Sequence, residues 1–164
     1  MDDQRYPASI TKVMTSLVAI ENSNLDAQVT FTETGMADAY SGSSNIIPQL
    51  GETFTMEQCI YMIMLKSAND VSTQVAETIG GSVENFIDMM NQRAAEIGCT
   101  NTHFANPNGL HLSDHYSTAY DLYLIFKEVA KHNEFFNIAG RSSSRIEYLG
   151  SKGEQKIYDM ASTN

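Results

Sequence analysis

Ser9 and Lys12 stand three residues apart at the head of an apolar segment, in the run Tyr6-Pro7-Ala8-Ser9-Ile10-Thr11-Lys12-Val13-Met14-Thr15. Residues at this spacing share one face of a helix, so the hydroxyl oxygen and the amine nitrogen can meet across a single turn. A serine hydroxyl is a weak nucleophile until a neighbouring base takes its proton, and a lysine stripped of water can be that base. The pattern is short, and the same residues also describe a helix N-cap serine followed by a surface lysine. A second polar cluster, Ser67-Ala68-Asn69, closes the apolar segment 59–66. Its serine suits proton relay, and its amide offers a donor and an acceptor to a peptide substrate. Serine and asparagine equally favour turns between helices.

The surrounding elements must position these groups. Val13, Met14, Leu17, Val18 and Ile20 make a helix apolar on most sides, which predicts burial at the centre of a bundle. Burial there desolvates Lys12 and lowers its pKa. Thr55 and Gln58 form a capping-box pattern before the second apolar helix. Residues 69–78 continue helical until the Gly80-Gly81 pair stops them. Val83, Phe86, Ile87, Met90, Ala94 and Ile97 form an amphipathic stripe ending at Gly98. Leu122, Tyr123, Phe126, Val129 and Ala130 form another, opened by Ser117 or Thr118. Short strands are expected at 28–31 and 44–47, and a β-hairpin pairs 145–149 with 155–160 across Gly150-Ser151-Lys152-Gly153. Met62, Met64, Met89 and Met90 read as core filler.

Four blocks, taken in order, resemble a known family. They are Pro7-Ala8-Ser9-Ile10-Thr11-Lys12-Val13-Met14-Thr15, Lys66-Ser67-Ala68-Asn69-Asp70-Val71, Asn101-Thr102-His103-Phe104-Ala105-Asn106-Pro107-Asn108-Gly109-Leu110 and His115-Tyr116-Ser117-Thr118-Ala119-Tyr120-Asp121-Leu122. All resemble D-alanyl-D-alanine carboxypeptidases, the low-molecular-weight penicillin-binding proteins of bacterial cell walls, within the serine DD-peptidase and β-lactamase-like superfamily. The resemblance runs from about Arg5 to the hairpin. It implies a single catalytic domain over 1–164, mainly α, being the helical part of an α+β fold with short strands and a C-terminal β-hairpin. It also implies acyl transfer. Ser9 would attack the carbonyl between the two terminal D-alanines of a peptidoglycan stem peptide, with Lys12 as its base. Ser67 would pass a proton to the leaving amine, and Asn69 would hold the substrate amide. β-Lactam antibiotics would acylate the same serine, and the resemblance calls for no metal or organic cofactor.

One departure matters. The family's third signature, Lys-Thr-Gly on a strand beside the nucleophile, is absent. Lys152-Gly153 is the nearest string and reads as a turn. The family would place that signature a little beyond Asn164, and strands ahead of the Pro-Ala-Ser block where six residues precede Pro7. The expectation is therefore an internal fragment whose flanking sheet strands are missing. Such a fragment would be inactive alone, with its central helix uncovered and prone to self-association. Two other classes stay open: a serine β-lactamase, which shares the fold and the first two motifs, and a non-catalytic scaffold or binding protein.

Composition adds limits. A chain of 164 residues suits one core. No stretch reaches the roughly 18 apolar residues of a membrane span, and no basic, apolar leader opens the chain. The resemblance implies an extracytoplasmic parent, with any signal or anchor outside these residues. A net charge of −10 disfavours nucleic acid. Cys59 and Cys99 lack metal or redox spacing, and a disulfide between them is left open. The histidines are scattered, and His115 is expected to be structural.

Overall fold

A computed structural model describes residues 3–39 and 43–162. A 3-10 turn, Ala8–Ile10, leads directly into helix α1, Thr11–Asn22. The sequence predicts Ser9 inside the opening of this helix; the structure places it in the tighter turn just before it. Every residue from Thr11 to Ala19 is buried. Helix α1 is the hub: it packs on α3 (Met56–Lys66), α4 (Asn69–Gly80), α5 (Val83–Ile97), α6 (Ala119–Val129) and α7 (Asn133–Ala139). It is therefore covered by helices of this same chain, contrary to the expectation of an exposed central helix.

Local chemistry sets the helix ends. Thr55 and Gln58 form the reciprocal capping box that opens α3. Ser82 caps α5, and Thr118 rather than Ser117 caps α6 through the Asp121 N–H. Gly81 and Gly98, at φ 73° and 96°, end α4 and α5 in the left-handed region, where a glycine carries no Cβ penalty. Between α3 and α4 the chain does not simply continue: Ser67 takes φ 55° and breaks the helix in two.

Strands β1 (Gln28–Thr30), β2 (Thr53–Thr55), β3 (Ser143–Leu149) and β4 (Gln155–Ala161) form one antiparallel sheet in that order. The β3–β4 pair is the expected hairpin, with Gly153 at φ 80° in its turn. The link from β2 to β3 is the single pair Thr53↔Leu149. A short helix α2, Glu33–Met36, lies between β1 and β2 and packs on α4. One hydrophobic cluster joins the sheet to α3 through Val29, Phe31, Phe54, Ile60, Ile146 and Met160. The other lies between α1, α5, α6 and α7, around Met14, Leu17, Phe86, Met90, Ile125 and Phe135.

The strand expected at 44–47 is not formed. The buried Asp70 carboxylate accepts the N–H groups of Ile46 and Ile47, at 3.0 and 2.7 Å, and the Ser44 carbonyl accepts the Asn69 N–H. A buried anion outcompetes a strand ladder for these donors. Both cysteines are buried free thiols. Among the described residues, no helix is long and apolar enough to cross a membrane.

Candidate active site

The site assembles where the 3-10 turn, the first turn of α1, the α3–α4 break and the loop 106–110 converge. Lys12 is 2% exposed, and its Nζ donates to Asn69 Oδ1 at 2.7 Å, to the Asn108 carbonyl, and towards Ser9 Oγ at 3.5 Å. Ser67 Oγ donates to Ser9 Oγ at 2.9 Å. All four residues singled out in the sequence, Ser9, Lys12, Ser67 and Asn69, thus stand in one hydrogen-bonded cluster. Ser9 is exposed and Ser67 half-buried, while Lys12 and Asn69 are buried. A ligand can reach the hydroxyl from solvent while the amine stays dry.

Burial is what tunes the amine. It pulls the Lys12 pKa down to about 8, against the opposing pull of the Asp38 and Asp70 carboxylates. As an ammonium, Lys12 satisfies all three acceptors. As a neutral amine it keeps two donors for Asn69 and Asn108, and its lone pair is left for the Ser9 hydroxyl proton. The 3.5 Å separation is long for proton transfer, as catalytic hydrogen bonds often are before substrate tightens them. Asp70 is fully buried, which raises its pKa; the Ile47, Val71 and Ile46 N–H groups oppose that shift.

Backbone strain gathers here. Among the described residues, the non-glycine residues with positive φ are Ala8, Ile47 and Ser67. Ala8 precedes the nucleophile candidate, Ser67 is the relay candidate, and Ile47 belongs to the segment held by Asp70. Non-glycine residues in this region cost about 1–3 kcal/mol each and persist only where the surroundings enforce them. The surroundings do so by close contact. Gly109, at φ +86°, lies so near the Ala8 carbonyl that a Cβ there would clash with the carbonyl oxygen.

Several participants were not singled out by sequence reasoning. Asn108 is buried and carries the carbonyl that holds Lys12, and its side chain reaches Asp38 and Thr73. Asn106 accepts the Gly109 N–H and donates to the Leu110 carbonyl, which closes the loop on itself. The Asn-Pro-Asn-Gly string was a visible turn signal, but nothing in it announces that a backbone oxygen will face a lysine from 96 positions earlier. His115 has the structural role expected of it. It accepts the Ala105 N–H at Nδ1, so its proton sits on Nε2 and is donated to Thr11 Oγ1 at 2.7 Å.

The family model for D-alanyl-D-alanine carboxypeptidases matches residues 1–161. The chain belongs to that family. It is 35% identical to the D-alanyl-D-alanine carboxypeptidase DacF of Bacillus subtilis, over 99% of this chain and 41% of that protein. The fold matches the crystal structure of the Streptomyces K15 DD-transpeptidase with a TM-score of 0.92 and 28% identity, covering 98% of this chain and 65% of that one. It also matches the D-alanyl-D-alanine carboxypeptidase DacD from Francisella tularensis, with a TM-score of 0.79 and 33% identity, over 95% of this chain and 38% of that one. The chain therefore spans less than half the length of DacF and about two thirds of the K15 protein. This carboxypeptidase-family chain is helix-rich with a C-terminal hairpin, as the sequence led one to expect; the Thr53–Thr55 strand that joins the hairpin to β1 in one sheet was not foreseen.

Proposed function

We propose that this protein is a serine D-Ala-D-Ala carboxypeptidase that works through an acyl-enzyme on Ser9. The observation that carries the reading is the position of the Ser9 hydroxyl between a dry Lys12 amine and the Ser67 hydroxyl. Lys12 takes the Ser9 proton as Oγ attacks the carbonyl between the two D-alanines of a stem peptide. Ser67, held 2.9 Å from Ser9 Oγ, gives its proton to the departing D-alanine amine and regains one from the Lys12 ammonium. Asn69 fixes the Lys12 amine through Oδ1 and keeps its Nδ2 donor for the substrate amide. Water then cleaves the ester and restores Ser9. β-Lactams enter the same path because their strained amide presents the same carbonyl, and their acyl-enzyme deacylates slowly. The family is one of bacterial cell-wall enzymes, and the reading places this protein on the extracytoplasmic face.

The test is covalent labelling of the full-length protein with a tagged penicillin, followed by peptide mapping. The label is expected on Ser9 and absent in Lys12→Met, with the fold of the variant intact by circular dichroism. A label on Ser67, or acylation of Lys12→Met within a few-fold of the unchanged protein, would sink the assignment.

A further inference from the structure

Beyond Lys12 the hydrogen-bond chain does not stop. The Asn108 side chain donates from Nδ2 to Asp38 Oδ2 at 2.9 Å and to Thr73 Oγ1 at 3.3 Å, and Thr73 Oγ1 itself donates to Asp38 Oδ2 at 2.5 Å. Its Oδ1 accepts the Leu110 N–H. Asn108 is 2% and Thr73 5% exposed, so neither can exchange these partners for water. With its side chain pinned at both ends, Asn108 has one group left to aim, the carbonyl, and that carbonyl faces Lys12 Nζ. Asp38 itself follows α2, far in sequence from every signature of the site.

We propose that Asp38 is a positioning residue for Lys12: with Thr73 it clamps the Asn108 side chain, and so fixes the Asn108 carbonyl against the amine. The inference rests on the reading of Lys12 as the base that activates Ser9. The geometry assigns the clamp two consequences. An acceptor held in place by an anion is a better partner for the ammonium than a free one, and the amine is kept off rotamers that leave Ser9. The charges of two carboxylates, Asp38 and Asp70, favour the Lys12 ammonium. Asp70 is already engaged by the N–H groups of Ile46, Ile47 and Val71, which leaves Asp38 as the one linked to Lys12 through Asn108, whose side chain it holds and whose carbonyl holds the amine.

The experiment follows the Lys12 side chain directly, by NMR titration of this chain labelled at lysine Cε, with Lys12→Met assigning the signal. Asp38→Asn keeps the shape and loses the charge; Thr73→Val keeps the charge and loses the clamp. Both are expected to move the Lys12 midpoint down, by roughly half a unit or more, because the ammonium loses support in each. An unmoved midpoint in Asp38→Asn, in a variant with undisturbed amide dispersion, overturns the proposal. So does a shift in Asp38→Asn with none in Thr73→Val, which would make Asp38 a bare distant charge. A parallel pH profile of penicillin acylation in the full-length protein separates the two readings. A profile that follows the NMR midpoint supports both; a midpoint that moves without the profile leaves the clamp standing and removes Lys12 as the base.

Discussion

Each catalytic assignment reduces to an atom whose freedom has been taken away. Ser9 is poised by its backbone as much as by its partners: the left-handed Ala8 turns the chain just before it, and Gly109 fills the space against the Ala8 carbonyl. Gly109→Ala therefore combines a strained φ with a backbone clash. It is expected to cost about 1–3 kcal/mol of stability by thermal melting, and to lower penicillin acylation by ~10² or more through displacement of Ser9. A melting temperature and acylation rate equal to the unchanged protein would show that the loop yields. At the same scale, the proposed role requires Lys12 to lose its proton before it can accept one from Ser9. With a pKa drawn down to about 8, acylation is expected to rise with pH through that value. A profile flat from pH 6 to 10 would assign the base elsewhere.

Between elements, the contacts that matter are those that lock loops to helices. His115 joins the 103–116 bridge region to the first turn of α1, since it bonds both the Ala105 N–H and Thr11. Burial pushes its pKa down to about 4 from 6.5, with His103 and His111 contributing in the same direction. Protonation puts a hydrogen on Nδ1 facing the Ala105 N–H, so the folded state resists it. The unfolded chain binds that proton first, and stability is full above about pH 6.5 and falls as pH drops towards 4. The loss integrates to about 3 kcal/mol. Urea melts at pH 7 and 4.5 should show this slope, and His115→Gln should flatten it. An equal slope in both proteins would place the acid sensitivity in other groups. At the other end of α1, Arg93 of α5 bonds Glu21 of α1 and Glu128 of α6 at 2.7 and 2.9 Å. Its side chain is only a quarter exposed, so Arg93→Met is expected to cost roughly 1 kcal/mol, more at low salt than at high. A cost that does not change with salt would make this contact packing rather than charge.

For the whole molecule, the question is what a body of this size can do alone. Helix α1 is buried from Thr11 to Ala19 by other helices of the chain, so the ground for self-association through an uncovered central helix falls away. The chemistry is another matter. Lys-Thr-Gly is absent from these 164 residues, and the proposed acyl transfer would need a second oxyanion donor besides the Ser9 N–H and a cation for the substrate carboxylate. Losing one such donor typically costs about 10²–10³ in rate. The purified 164-residue chain is expected to label with penicillin at least that much more slowly than a relative that carries Lys-Thr-Gly, and to release no measurable D-alanine. Robust turnover by the chain alone would show that Ser9, Lys12, Ser67 and Asn69 suffice.

The sequence determined what is local or periodic. Lys12 one turn from Ser9, the Thr55–Gln58 capping box, the glycines that end α4 and α5, and the hairpin across 150–153 all depend on neighbours within a few residues. The four residues of the candidate site could be picked out together because two short motifs carry them, and the structure brings them into one cluster. Tertiary structure decided everything that joins distant backbone to side chain. Ser67 takes the left-handed region at the α3–α4 break, while Asp70 capturing the Ile46 and Ile47 N–H groups and Asn108 turning its carbonyl on Lys12 are pairings across 23 to 96 positions. No periodicity encodes them, because a buried amine or carboxylate takes whichever polar group the packed chain delivers to it, and packing alone settles which group that is.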